Sequence, residues 1–353
     1  MESLATDRTV REQFAAETTY LNTASLGVLP RDAADAVRTA IAEYSVGRPY
    51  VREGFEAVQE ARELFARLVG VDASRVAAGA SVAVYAGLLA TALPAGAEVL
   101  VADDDFSSLV NPFAVRGDLK LRSVPLAELA DAVRPGTALV AVSAVQSADG
   151  RIADLAAIRD AARAHGARTF VDASQAVGWL PLRADDFDYL ATVGYKWLLA
   201  PRGAAFLVTP DDRSDVTPVF AGWVAGEVPY DSCYGPVTQL ARSARRFDES
   251  PSLLAYSAAR HTLALIERLG PQRIGAHNAA LADRFRAGLA RLGHEPVAAP
   301  GSAIVAVPGL GHAAERLAAA DVMVSSRNGF LRAAFHLYNT DADVDRALDV
   351  LGG

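Results

Sequence analysis

Cysteine is nearly absent from this chain: Cys233 is the only one in 353 residues. A disulfide within the chain and a cysteine-built metal cluster are both excluded by that count. Histidine is sparse too, with six in all; His261, His277 and His294 stand far apart, and no pair has the HxxxH spacing of a helical metal site, so no metal is expected. A basic cluster is missing as well. The 34 lysines and arginines are scattered among 42 acids, for a net charge of −8, which repels nucleic acid and leaves a small molecule as the expected partner. Long hydrophobic runs are lacking. The apolar stretch 77–93 is broken by Gly79, Ser81, Tyr85, Gly87 and Thr91 and falls short of the ~20 residues a membrane span needs, so it predicts a buried helix. The start, Met1-Glu2-Ser3-Leu4-Ala5-Thr6-Asp7, has neither a basic opening nor an apolar stretch of signal length, and a cytoplasmic protein is expected.

What is present is core-forming material. Hydrophobic residues make up 51% of the chain and charged residues 22%, a balance that excludes a disordered chain and allows about two domains. Between residues 31 and 70 apolar residues recur at helical spacing (Val37, Ile41, Tyr44; Phe55, Val58, Leu64, Phe65, Leu68), which predicts two helices separated by Gly47-Arg48-Pro49-Tyr50. Short apolar runs at 98–102, 121–124, 138–143, 169–171, 189–193 and 204–208 then predict buried strands, with a helix over 155–165. Such alternation implies a largely parallel sheet covered on both faces, whose ligands gather at the carboxyl ends of its strands. An irregular stretch, 214–251, follows. Beyond it helices are predicted over 252–269 and 273–292, then a small α/β unit with strands or helices at 303–307, 313–320, 322–325, 330–335 and 342–351.

Two strand ends carry the chemistry. Thr169-Phe170-Val171-Asp172 ends in an acid, and the run through Tyr189-Leu190-Ala191-Thr192-Val193-Gly194-Tyr195-Lys196 ends in a lysine. A lysine closes an imine with an aldehyde, and an acid keeps a ring nitrogen protonated; together they suit pyridoxal phosphate. Read singly, Asp172 is equally a turn residue and Lys196 a snorkelling surface lysine.

Four further segments fit that cofactor. Gly79-Ala80-Ser81 precedes the helix from Val82, where the Ala80 amide and the Ser81 hydroxyl suit either a phosphate or an ordinary cap. Phe106 suits stacking on a flat ring, or plain core. Gln146 and Gln175 carry amides that can donate to a phenolic oxygen. Arg332, inside an apolar strand, wants a carboxylate from a substrate or from a structural ion pair.

Taken together the segments resemble the class V aminotransferases, the fold-type I pyridoxal-phosphate group that includes cysteine desulfurases, isopenicillin N epimerase-like proteins and kynureninases. The resemblance runs nearly end to end: Tyr20-Leu21-Asn22-Thr23-Ala24-Ser25-Leu26-Gly27 with Pro30, Gly79-Ala80-Ser81, Val171-Asp172-Ala173-Ser174-Gln175-Ala176, Tyr195-Lys196, and Arg332 through Thr340 with Asp343-Val344-Asp345. It implies a mostly parallel seven-stranded sheet flanked by helices, with a smaller C-terminal α/β domain. The expected division is an N-terminal segment 1–30 serving the active site and the small domain, a cofactor domain 31–251 and a small domain 252–353. It further implies Lys196 as the Schiff-base lysine, Asp172 at the pyridine nitrogen, and Gln175 beside the ring hydroxyl. Ala80, Ser81, Phe106, Gln146 and Tyr195 are implied around the cofactor, and Arg332 with Ser25 at the substrate. Arg246-Phe247-Asp248-Glu249-Ser250-Pro251 resembles the segment that reaches the neighbouring subunit's phosphate, with Ser250 as the contact, so a homodimer with shared sites is expected.

The departures bear on the reaction. Phe106 replaces the ring-stacking histidine common in the family, Tyr195 replaces the histidine before the lysine, and Val193 replaces a phosphate-binding serine for which Thr192 or Tyr195 would substitute. The stretch Val324-Ser325-Ser326-Arg327-Asn328-Gly329-Phe330 has no cysteine, which disfavours a desulfurase, since thiolate is the sulfur acceptor. Transamination of a small amino acid is the leading expectation, with carbon–sulfur lyase or epimerase chemistry as alternatives and an inactive binding protein of the same fold as the rival of another class. An acidic substrate would want a second arginine, for which Arg327 and Arg48 are the candidates.

Overall fold

The computed structural model describes residues 4–48, 50–210 and 216–353. Pro49, in the break between the first helices, Ser214 at the head of the irregular stretch and residues 1–3 of the N-terminal start lie outside the described residues. In chain order, α1 (Arg8–Gln13), β1 (Thr19–Tyr20), α2 (Arg31–Ser45) and α3 (Val51–Val69) lead into the sheet. The sheet strands are β2 (Val76–Gly79), β3 (Glu98–Ala102), β4 (Lys120–Val124), β5 (Thr137–Ser143), β6 (Arg168–Asp172), β7 (Tyr189–Val193) and β8 (Ala205–Val208), with α4 (Val82–Ala92), α5 (Ser107–Ala114) and α6 (Leu155–His165) between them. Their spatial order is β2-β8-β7-β6-β5-β3-β4, and β8 alone runs against the rest.

Both faces of the sheet are covered, which is why its strands are apolar throughout. Alternation sorts the side chains: Leu100, Val140, Val142, Val171 and Leu190 join α3 and α7 (Leu253–Leu269) in one core, while Val99, Val101, Leu139, Ala141 and Phe170 join α4 and α5 in the other. Each fully buried leucine or phenylalanine contributes roughly 1.5–3 kcal/mol.

Two details differ from the sequence expectation. Residues 77–79 of the apolar run belong to a strand, β2, and the helix starts only at Val82, because Gly79, Ala80 and Ser81 make the turn between them. β4 is the sheet's edge, paired with β3 alone, and its Lys120, Leu121 and Ser123 are exposed instead of buried. Charged residues on an edge strand oppose pairing with other chains.

The C-terminal part adds α8 (Pro271–Arg291), β9 (Ile304–Val307), α9 (Ala313–Ala319), β10 (Val322–Met323), β11 (Ser325–Arg327), β12 (Phe330–Ala334) and α10 (Asp341–Gly352). β11, β12 and β9 form an antiparallel sheet, while β10 pairs with β1, so Leu21 enters the core of this smaller unit beside Phe285 and Phe335. Thr340 and Asp343 close a capping box at the start of α10. Among the described residues no helix is long and apolar enough to cross a membrane.

Candidate active site

β6 and β7 are parallel neighbours, so their carboxyl ends open on the same side of the sheet. Asp172 closes β6 and is buried; its carboxylate accepts the Ser174 N–H at 2.9 Å. Burial pushes its pKa up, opposed by the Ser174 hydrogen bond and the Lys196 charge. Lys196, three residues beyond β7, is 5% exposed, and its ammonium forms no hydrogen bond or ion pair among the described residues. Its ammonium lies 5.0 Å from the centre of the Phe106 ring and 5.9 Å from that of Tyr195. Burial pulls its pKa down to about 8; Asp172 works against this, and the charges of Arg332, Arg202 and Arg327 add to it. An amine so placed is a base near neutral pH.

The lysine turn is braced by residues from three of the sequence segments, the one ending at Gly27, the one from Asp172 to Ala176 and the C-terminal one from Arg332. The Gly27 N–H donates to the Tyr195 carbonyl at 2.9 Å, and Leu199, at φ +57°, turns the chain back. His336 is fully buried and its Nε2 donates to the Trp197 carbonyl at 3.0 Å, since a carbonyl can only accept. Burial drives that imidazole down to about 3, so it is neutral. The Trp197 indole donates to Gln175 Oε1 at 2.6 Å, and Gln175 Nε2 donates to the Ala24 carbonyl and the Ser147 hydroxyl, both at 3.0 Å. Both Gln175 hydrogens are thus engaged, which makes it the brace of the lysine turn. The Gln146 amide donates to Asp105 at 3.1 Å and keeps its other hydrogen. Asp105 also accepts from the Ser143 amide and hydroxyl at 2.9 and 2.5 Å. Phe106, next in sequence, is 40% exposed, as a face awaiting a stacking partner would be.

At the far end, β2 meets the amino end of α4. Ser81 caps the helix, its hydroxyl accepting from Val84 N at 3.4 Å. The Ala80 N–H donates to Glu249 Oε1 at 2.7 Å, so a carboxylate oxygen stands where an anion at a helix N-terminus belongs. A β-carbon on Gly79 would come within 2.7 Å of the Tyr85 hydroxyl and 2.9 Å of that carboxylate. Beneath, Arg62 and Asp248 form a buried ion pair at 2.6 Å, and Asp248 also accepts the Ala78 N–H at 2.8 Å. Ser250 is exposed beside Glu249. Thr192 is buried and among the described residues its hydroxyl reaches only the Val193 carbonyl, at 3.4 Å, while the guanidinium of Arg202 lies 4.0 Å over the Tyr195 ring.

Arg332 comes from the hairpin β11–β12, whose Asn328-Gly329 turn holds both residues at positive φ (+48° and +80°), as a two-residue hairpin loop requires. The register sets Arg332 opposite Ser325, and its Nε donates to that hydroxyl at 3.1 Å. One terminal nitrogen donates to the Ser147 carbonyl and hydroxyl and the other to the Ser25 hydroxyl at 2.7 Å, so one of the five guanidinium hydrogens has no acceptor among the described residues. The side chain is 2% exposed and has no carboxylate partner among the described residues. Burial lowers it to about 10, with the Arg327 charge contributing.

The four features fit pyridoxal phosphate: a buried acid, a buried unpaired amine, an anion seat already filled by a carboxylate, and a guanidinium lacking its anion. Residues missed by sequence reasoning are Asp105, Ser147, Ser174 and Glu249; each adjoins a residue that was singled out (Phe106, Gln146, Gln175, Ser250). Trp223 is half-buried, packs edge-on against Phe55 at 5.5 Å and, with Tyr230 and Arg245, lines a groove of about 400 Å³ that also includes the Arg62–Asp248 pair. Arg48 is exposed and ion-paired with Glu43 at 2.6 Å.

Comparison with known proteins shows the family and the fold of the chain. The family described as Aminotransferase class-V matches residues 46–318. Isopenicillin N epimerase of Streptomyces clavuligerus is 30% identical, over 94% of this chain and 93% of its own length. The uncharacterized aminotransferase YcbU of Bacillus subtilis (strain 168) is 27% identical, over 90% of both chains. Among solved structures, the cystine C–S lyase C-DES, in complex with cysteine persulfide, superposes with a TM-score of 0.86 at 23% identity, covering 96% of this chain and 98% of that one.

Proposed function

The chain belongs to the aminotransferase class-V family, and on that premise we propose that it is an aminotransferase for a small amino acid, working through Lys196. Its cofactor is pyridoxal 5'-phosphate. When bound, this group supplies an aldehyde carbon for covalent capture of amines and a protonated ring that draws electrons from the substrate's α-carbon. The observation that carries the reading is the Lys196 amine, buried, without an ion pair among the described residues and lowered to about 8, beside a buried Asp172. Lys196 Nζ takes the α-proton as general base. Asp172 holds the proton at the ring nitrogen, Phe106 stacks, and the turn at Ala80 and Ser81 seats the phosphate where Glu249 now stands. Arg332 orients the substrate through its carboxylate, with Ser25 beside it.

One base suits amino transfer, because the same amine removes and returns the proton. Inversion at the α-carbon asks for a second proton donor, and Phe106, in the stacking position, has none to give. The β11–β12 hairpin brings no thiol toward Arg332, and Cys233 is exposed, its sulfur 3.9 Å from the Pro229 carbonyl; both disfavour desulfuration. The proposal extends to a cytoplasmic homodimer with Ser250 reaching the neighbouring phosphate, and to the division 1–30, 31–251 and 252–353. Exposed Val219, Phe220, Val228, Tyr230 and Tyr234 on the irregular stretch support a second copy as partner.

The test is spectroscopic. Protein reconstituted with pyridoxal phosphate should gain a visible absorbance band that Lys196→Ala lacks, lose it on adding an amino acid and recover it on adding a 2-oxo acid. Release of pyruvate or a thiol with the band retained would make it a lyase. A chain that stays colourless would be a binding protein of this fold.

A further inference from the structure

Arg332 and Arg327 share one acceptor. Arg327 donates to the Ser25 hydroxyl at 3.2 Å from one side while Arg332 donates to it at 2.7 Å from the other. Among the described residues the only other hydrogen bond of the Arg327 side chain goes to the Ser326 carbonyl, and neither arginine has a carboxylate partner. The acids nearest the site are committed: Asp105 to Ser143 and Gln146, Asp172 to Ser174. Two cations on one neutral hydroxyl repel each other, and the electrostatics register it, since Arg327 lowers both Arg332 and Lys196.

A single α-carboxylate relieves only part of this. Hairpin pairing sets Arg327 opposite Phe330 and Arg332 opposite Ser325, so the two arginines lie on one face of the ribbon, at different depths: Arg332 is buried and Arg327 exposed. One charge is placed for an anion deep in the site and the other for an anion at its mouth. We propose that Arg327 determines specificity, and that the substrate is an amino acid whose side chain ends in a carboxylate. This rests on the aminotransferase reading above and narrows it to acidic substrates.

The test is binding of unreactive acids to the reconstituted holoenzyme at constant ionic strength, followed through the cofactor absorbance. Succinate and glutarate should bind at least tenfold tighter than propionate and butyrate. In Arg327→Ala that ratio should fall toward one, and Arg327→Lys should restore part of it. A ratio below twofold in the unaltered protein overturns the proposal. So does an Arg327→Ala protein in which both acid classes weaken by the same factor, because the two arginines would then grip a single carboxylate. A holoenzyme with Lys196-dependent colour and no dicarboxylate preference sinks this inference alone, whereas a chain that never takes up the cofactor sinks the reading beneath it.

Discussion

Gly27 rests directly on the main chain of Lys196: a β-carbon there would stand 2.3 Å from the lysine carbonyl oxygen and 2.6 Å from Leu199 Cδ2. The N-terminal segment can lie on the lysine turn only because that carbon is missing. Gly27→Ala must push the segment off the turn, and with it Ser25 and Ala24, which hold Arg332 and Gln175. Overpacking of this kind costs about 1–3 kcal/mol. A lower urea midpoint together with faster loss of bound cofactor on dialysis is the expected outcome; an unchanged midpoint would mean that the contact yields freely.

Lys196 gives the ligand-free protein a pH signature. Its pKa falls from an ordinary 10.5 to about 8 on folding, chiefly through burial. Below pH 8 both states carry the proton, and the folded state bears the full cost of a buried charge. Between about 8 and 10.5 the unfolded state binds more protons, so stability rises with pH. Lys196→Met lacks this term and should be the more stable protein at pH 7.5, with an advantage that shrinks by up to roughly 3 kcal/mol by pH 10. Urea titrations of both proteins across that range measure the difference, and a constant gap would contradict the assignment.

Glu249 competes with the cofactor's phosphate for the Ala80 amide. Removing its charge should therefore tighten cofactor binding. A charge at a helix N-terminus is worth about 0.3–1 kcal/mol, which converts to roughly a two- to fivefold lower Kd for pyridoxal phosphate in Glu249→Gln. Fluorescence titration of the apo protein reads this directly. Weaker binding in that variant would show that the carboxylate supports the phosphate turn instead of obstructing it.

The sequence made Lys196, Asp172 and Arg332 legible because Asp172 ends an apolar strand, Arg332 interrupts one and Lys196 follows one by three residues, patterns local enough to read. The boundary between β2 and α4 was not legible. Val76–Gly79 and the helix after it form one alanine-rich run whose apolar residues show neither a period of two nor one of 3.6, so only the sheet's demand for a partner to β8 separates them. The exposure of β4 was hidden for a related reason: Leu121 and Val124 are apolar, yet an edge strand has one neighbour. The role of Gln175 as a brace was invisible, because its partners Ala24, Ser147 and Trp197 come from distant parts of the chain and meet it only in the folded protein. Glu249 escaped notice because an acid beside a phosphate site runs against electrostatic expectation.

Arg332 holds its position through three separate donors, Nε to Ser325, one terminal nitrogen to Ser147 and the other to Ser25. Lysine keeps the charge but offers a single ammonium with three hydrogens, which cannot satisfy the four oxygens that Arg332 reaches and face a carboxylate as well. Arg332→Lys should therefore fail to conserve function. A hydrogen bond to a charged group is worth about 1.5–3 kcal/mol. Its loss predicts a KM for the amino acid raised by roughly ten- to a hundredfold, on the scale of 1.4 kcal/mol per tenfold change. The cofactor's absorbance band and its dependence on Lys196 should survive, because Arg332 makes no hydrogen bond with Asp172 or Lys196. Steady-state kinetics beside an absorbance spectrum separate the two effects: a KM within twofold of the parent would remove Arg332 from the substrate site, whatever the spectrum shows.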